Sequence, residues 1–187
     1  GEDAVDKRLL VEFTPGIAFL IGNWLGGIFL GAGLAAVATG LAIALRWRWD
    51  RSLPLLAISI FGLTVVMLIA GLIFDDTTFV KVSNTVGSLA FAVIIASGLF
   101  MRPNLLKRTL GYKIHMSDAG WVTLHWVWIG ISVMRAAANE VIWRNFSDST
   151  WAIYNGVSDF AWIGVMVVAT SVIAHKFWNG PEDREAV

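Results

Sequence analysis

Residues 53–74 read LPLLAISIFGLTVVMLIAGLIF, from Leu53 to Phe74, without one ionisable side chain. A helix that crosses a bilayer needs about 20 predominantly apolar residues, because the hydrocarbon core is about 30 Å thick and a helix rises about 1.5 Å per residue. This stretch meets that requirement. Its uniform hydrophobicity excludes a strand of a membrane barrel, in which lipid-facing and lumen-facing residues alternate. Within hydrocarbon the backbone must satisfy its own N–H and C=O groups, so the segment reads as a transmembrane helix.

The same reading extends outward to residues 27 to 45, 83 to 101, 121 to 143 and 154 to 175. The first two of these lack ionisable residues, and the last two carry a few. Residues 8 to 24 form a shorter hydrophobic segment that holds Glu12 and Pro15 and runs through a glycine-rich stretch into the next span. Lys7 and Arg8 stand at its start and prefer the cytoplasm, which favours a full crossing and six helices rather than five. The expected fold is all-α: a polytopic transmembrane helix bundle of five to six helices with short loops, forming a single domain over residues 1–187.

Composition agrees with a chain solvated by the lipid bilayer. Hydrophobic residues make up 57% and charged residues 15%, with a mean hydropathy of +0.69, against roughly 45–50% apolar content in soluble domains. Fourteen basic and 14 acidic residues cancel, so no basic field gathers nucleic acid, and none is expected as a partner. The absence of cysteine excludes disulfides, thiolate nucleophiles and zinc-thiolate sites. The acidic start Gly1-Glu2-Asp3 and the lack of a small-residue cleavage site argue against a cleaved signal peptide.

Charge placement orients the chain. Arg46, Arg48 and Arg51 fill one short loop, and Arg102, Lys107, Arg108 and Lys113 fill the loop two spans later. The positive-inside rule makes both cytoplasmic. The intervening loops, with Asp75, Asp76 and Lys81 and then Arg144 and Asp148, face outward, and alternation leaves the C-terminus cytoplasmic. The tail from Asn179 onward breaks the last helix as a short solvated end.

Individual residues have mainly structural readings. Trp47, Trp49, Trp121, Trp143, Trp151 and Trp178 lie near span ends, where an aromatic belt belongs. Trp126 and Trp128 lie deeper and either pack within the bundle or face lipid, with a pigment or quinone contact as the alternative. Gly22 and Gly26, and Gly27 and Gly31, are small residues four apart that let helices approach closely. Charges within spans cost about 2.5–3.5 kcal/mol each on insertion scales. Arg135 and Asp159 are expected to meet at similar depth on adjacent antiparallel helices as a structural ion pair, with Glu12 as an alternative partner for Arg135. Glu140 and Arg144 are spaced to pair along one helix face. His125 and His175 could face one another across two helices as haem ligands, but an interfacial role is the cheaper reading. No paired catalytic carboxylates, phosphate loop, Ser/His/Asp set or His-Glu-x-x-His appears. The reading therefore assigns no catalytic residue, no metal and no cofactor.

Four blocks carry a resemblance to a known family: Asp76 with Phe79-Val80-Lys81 and Thr85; Pro103-Asn104-Leu105-Leu106-Lys107-Arg108-Thr109-Leu110-Gly111; Gly120-Trp121; and Ala138-Asn139-Glu140-Val141-Ile142-Trp143-Arg144 followed by Ser147-Asp148-Ser149-Thr150-Trp151. Over almost its whole length the chain resembles the bacterial intracellular septation protein A family of inner-membrane proteins, in a version similar to alphaproteobacterial members. It departs from the family pattern at Ser83-Asn84-Thr85, where Lys-Pro-Thr is usual, and at Trp151-Ala152-Ile153-Tyr154-Asn155, where Trp-x-x-Phe-Lys is usual. The resemblance implies a multi-pass inner-membrane protein linked to septation and the cell envelope, with no established catalytic activity; together with the empty catalytic inventory it leads to a non-enzymatic role through binding other membrane proteins. An accessory subunit of a larger respiratory or photosynthetic complex is the alternative, and a transporter or channel the third reading.

Overall fold

The computed structural model describes residues 2–50 and 55–180, with side chains not described for 2–10, 12, 50, 55 and 56. Arg51, the first two residues of the 53–74 segment, the side chains of Lys7, Arg8 and Glu12, and the tail from 181 on lie outside the described residues. The fold is all-α, a helix bundle with short loops. Its elements are α1 (Glu2–Gly26), α2 (Ile28–Asp50), α3 (Leu55–Phe74), α4 (Thr78–Ser97), a 3-10 turn (Gly98–Phe100), α5 (Leu105–Leu110), α6 (Asp118–Asn145) and α7 (Asp148–Lys176). Among the described residues, four stretches are long and apolar enough to cross a membrane: Ile28–Trp49, Ala57–Phe74, Thr78–Phe100 and Asp148–Lys176. Helices α1 and α6 have the length but carry more charged and polar side chains, among them Arg135, Asn139 and Glu140 on α6.

Exposed apolar residues such as Val66, Ile69, Leu72 and Ile73 line α3. In water they would form an aggregation surface; in a bilayer they are the lipid-facing side of a span.

The chain forms two compact units, one of residues 1–87 and 138–160 and the other of residues 88–137 and 161–187. In the first, α1 and α2 form an antiparallel hairpin joined only by Gly27, whose φ of +86° favours glycine. Gly22 and Gly31 meet across this hairpin: a Cβ on Gly22 would lie 2.8 Å from the Gly31 Cα. A Cβ on Gly26 would instead strike the Leu30 side chain at 2.7 Å, and one on Gly27 would meet nothing within 4 Å. Gly27 therefore serves the turn rather than helix packing. Gly16 also approaches the backbone of Gly156 on α7, a close contact that spacing along α1 alone does not announce. The core here gathers Phe19, Ile28, Ala32, Leu68, Val80, Trp151 and Ala152.

The α3–α4 turn follows from local chemistry. Asp75 takes a φ of 51°, and the Asp76 N–H donates back to the Gly71 carbonyl at 2.9 Å, a left-handed helix ending that satisfies a terminal carbonyl. Asp76 then opens α4, its Oδ1 accepting the Thr78 N–H at 2.8 Å. That bond, with help from the Thr78 hydroxyl, holds the Asp76 carboxyl below the usual carboxylate range.

In the second unit, Ile95, Leu106, Met116, Trp121, Leu124 and Ile173 form the core. Trp128 stacks on Phe91 with ring centres 6.2 Å apart and donates its Nε1–H to Thr170 Oγ1 at 3.0 Å. Trp126 points outward and is exposed.

Candidate functional site

Lys81 and Thr85 are one turn apart on α4 and so share a face. Opposite them α6 supplies Asn139 and Glu140, and the first turn of α7 supplies Asp148 and Trp151. All lie in the first unit. Asn139 is 1% exposed and Trp151 fully buried. The Asn139 amide donates to the Lys81 carbonyl and to Thr85 Oγ1, both at 2.8 Å. Its Oδ1 accepts the Trp151 indole N–H at 3.0 Å. One carboxamide thus joins three helices through both of its hydrogens and its oxygen.

The network continues from Thr85, whose hydroxyl donates to Glu140 Oε1 at 2.6 Å. Glu140 Oε2 accepts from Arg144 Nε at 2.7 Å, the one-turn pair that the spacing predicts. The Arg144 guanidinium lies 4.4 Å from the centre of the Trp143 ring. Lys81 is buried, and its Nζ lies 2.6 Å from Asp148 Oδ1, with side-chain exposures of 9% and 63% respectively. A lysine emerging from an apolar helix face thus reaches a carboxylate that still touches water, which avoids an unpaired buried ammonium. The Phe19 ring packs edge-on against Trp151 with centres 5.7 Å apart, tying α1 to the same cluster.

Asn84 and Asn155, one from each of the two stretches that depart from the resemblance pattern, hydrogen-bond to one another, Asn84 Nδ2 donating to Asn155 Oδ1. Both stretches stand out in the sequence, but their link does not. The link was hidden because the two residues are far apart in the chain and meet only when α4 packs beside α7.

A second group of motif residues builds the 102–121 loop in the other unit. The Arg102–Pro103 peptide is cis. Asn104 caps α5 by accepting the Lys107 N–H at 3.0 Å, and Gly111 ends it, its N–H donating to the Lys107 carbonyl at 2.9 Å. Lys107 Nζ pairs with Asp118 at 2.8 Å, while Arg108 is exposed. Trp121 is buried.

His125 sits beneath this loop, fully buried. Its Nδ1 lies 2.8 Å from the Trp121 carbonyl and so carries the hydrogen, leaving Nε2 to accept the Leu106 N–H at 3.4 Å. Asn104 and His125 therefore take two of the N–H groups that the start of α5 leaves without helical partners. His175 is exposed. The two histidines thus lie in different environments, and both His125 nitrogens are engaged by the chain itself. Among the described residues, no group of three or more metal-ligating side chains occurs. Arg135 is half-buried in one unit and Asp159 exposed in the other; their pairing stands as a proposal from helix depth.

Fold and site together define a multi-pass helical membrane protein in which motif residues of α4, α6 and α7 join these helices. The sequence model of intracellular septation protein A matches residues 7–178, and the chain belongs to that family. It is 29% identical over 178 residues to the inner membrane-spanning protein YciB of Paracidovorax citrulli, covering 94% of each chain. It is 30% identical over 163 residues to the YciB protein of Agrobacterium fabrum, covering 79% of each, and 31% identical over 148 residues to that of Brucella melitensis, covering 79% of this chain and 65% of that one. No solved structure matches. The protein is thus a multi-pass inner-membrane protein of a family named for septation.

Proposed function

We propose that this protein serves the cell envelope in a septation-type role without catalysing a reaction, by holding other inner-membrane proteins against its lipid-facing helices and short loops. The observation that carries the reading is the economy of the Asn139 cluster. Its residues are those that carry the family resemblance, and their polar atoms are hydrogen-bonded to one another. Such a cluster fixes helix register and leaves exposed helix faces such as that of α3 as the surface for partners. The proposal includes a topology in which the 46–51 loop, the 102–115 loop and the C-terminus are cytoplasmic, as the basic residues direct.

Affinity purification of the full chain in mild detergent tests the function. Envelope or division proteins should co-purify; a stoichiometric electron-transfer complex alone would replace the proposal with an accessory-subunit role. Topology is tested separately, since the chain has no native cysteine. A Thr109→Cys variant should resist an impermeant thiol reagent applied from outside intact cells, and strong labelling would invert the orientation.

A further inference from the structure

In the second unit, the segment after α5 folds back on the end of α7, the Ser117 N–H donating to the Phe177 carbonyl at 3.0 Å. Beside this junction runs a groove of about 560 Å³ lined by Lys113, Ile114, His115, Ala174, His175 and Trp178. Lys113, His115, His175 and Trp178 are exposed, while Ile114 and Ala174 are half-buried and form an apolar floor. Among the described residues, no carboxylate lines it. The nearest acidic group along this loop, Asp118, borders a neighbouring groove and is paired with Lys107.

We propose that this groove binds the phosphate of an anionic phospholipid. Charge complementarity selects the headgroup: a lysine and two imidazoles converge where no acid among the described residues lines the groove. The apolar component selects a lipid over a soluble anion. The groove lies at the end of the apolar α7 stretch Asp148–Lys176, with Trp178 just beyond it, the position at which an indole sits among headgroups. Ile114 and Ala174 offer the glycerol and upper acyl segments a surface that inorganic phosphate cannot use. A helix C-terminus repels anions, but here Phe177 O already accepts the Ser117 N–H, and Lys176 places a further cation on the last turn. Basic pockets between membrane helices recognise phospholipid headgroups by this combination.

The test is native mass spectrometry of the full chain in mild detergent, titrated with phosphatidylglycerol or with phosphatidylcholine. The expected result is preferential retention of phosphatidylglycerol, weakened about fivefold by Lys113→Gln, the factor that corresponds to about 1 kcal/mol per surface cation. Lys113→Gln with His175→Gln should bring retention close to that of phosphatidylcholine. These side chains are exposed, so the core is left intact. Arg46→Gln with Arg48→Gln, which removes two cations from another loop, should change retention little. Equal retention of both lipids overturns the proposal, as does an equal loss in the Arg46/Arg48 variant, which would mark a diffuse surface effect. Displacement of the lipid by inorganic phosphate at matched ionic strength, with no effect of sodium chloride, would assign the groove to a free anion instead.

Discussion

Replacing Asn139 by alanine removes three hydrogen bonds at once, to the Lys81 carbonyl, Thr85 Oγ1 and the Trp151 indole. Side-chain hydrogen bonds within membrane proteins average about 0.6 kcal/mol, so three of them set a floor of about 2 kcal/mol. The floor is too low here, because Trp151 is fully buried and its N–H would be left without an acceptor. A stranded buried donor adds about 1–3 kcal/mol. The expected loss for Asn139→Ala is therefore about 3–5 kcal/mol, adding the two contributions. Reversible unfolding of the detergent-solubilised protein by increasing SDS measures it. Trp151→Phe removes the donor instead and leaves Asn139 Oδ1 unpaired, so it should also destabilise. Combining Asn139→Leu with Trp151→Phe makes both ends apolar and should cost at least about 1 kcal/mol less than the two single changes summed. A loss below about 1 kcal/mol for Asn139→Ala, or strict additivity in the pair, would refute the idea that this carboxamide joins the helices.

Three further predictions use the same measurement. Gly31→Ala places a Cβ 2.8 Å from the Phe19 carbonyl oxygen and 3.0 Å from the Asn23 nitrogen, both backbone, so the α1–α2 hairpin should lose about 1–3 kcal/mol. Gly33→Ala, two residues on with nothing within 4 Å, should be neutral or stabilising, and equal losses at both positions would count against close helix packing. For Asp76, the folded pKa lies below the unfolded one because the Thr78 N–H binds the carboxylate. Its contribution is thus complete above the ordinary aspartate pKa and disappears as pH falls through the depressed folded value; Asp76→Asn should flatten that part of the acid limb, and an unchanged pH profile would rule out the effect. For the proposed Arg135–Asp159 pair, Arg135→Gln and Asp159→Asn should each destabilise, and the double variant should cost less than their sum.

The helices were legible in the sequence because a span is a one-dimensional fact: length and apolarity within one segment decide it, as residues 53–74 illustrate. The α1–α2 turn was half legible. Two pairs of glycines four apart signalled close approach, but spacing cannot separate Gly22 and Gly31, which meet backbone to backbone, from Gly27, which is needed for its positive φ. The polar cluster was legible only as scattered motif residues, since Lys81 and Asp148 or Asn139 and Trp151 become neighbours through helix packing. His125 illustrates the limit of residue type as a guide. An imidazole on an apolar helix invited a ligand role, yet its ring spans the Trp121 carbonyl and the Leu106 N–H, a capping task that depends on where a separate short helix begins.

Lipid chains solvate leucine as well as another leucine does, so apolar burial alone gives a membrane bundle little reason to prefer one helix arrangement over another. Two devices in this chain supply that preference. Gly22 and Gly31 let α1 and α2 approach to a distance that only one register allows. Asn139 demands partners from α4 and α7 together, and sliding either helix by one turn would strand a buried polar group at a cost of about 1–3 kcal/mol. The Asn84–Asn155 bond adds a further link between α4 and α7, built from residues outside the usual family pattern.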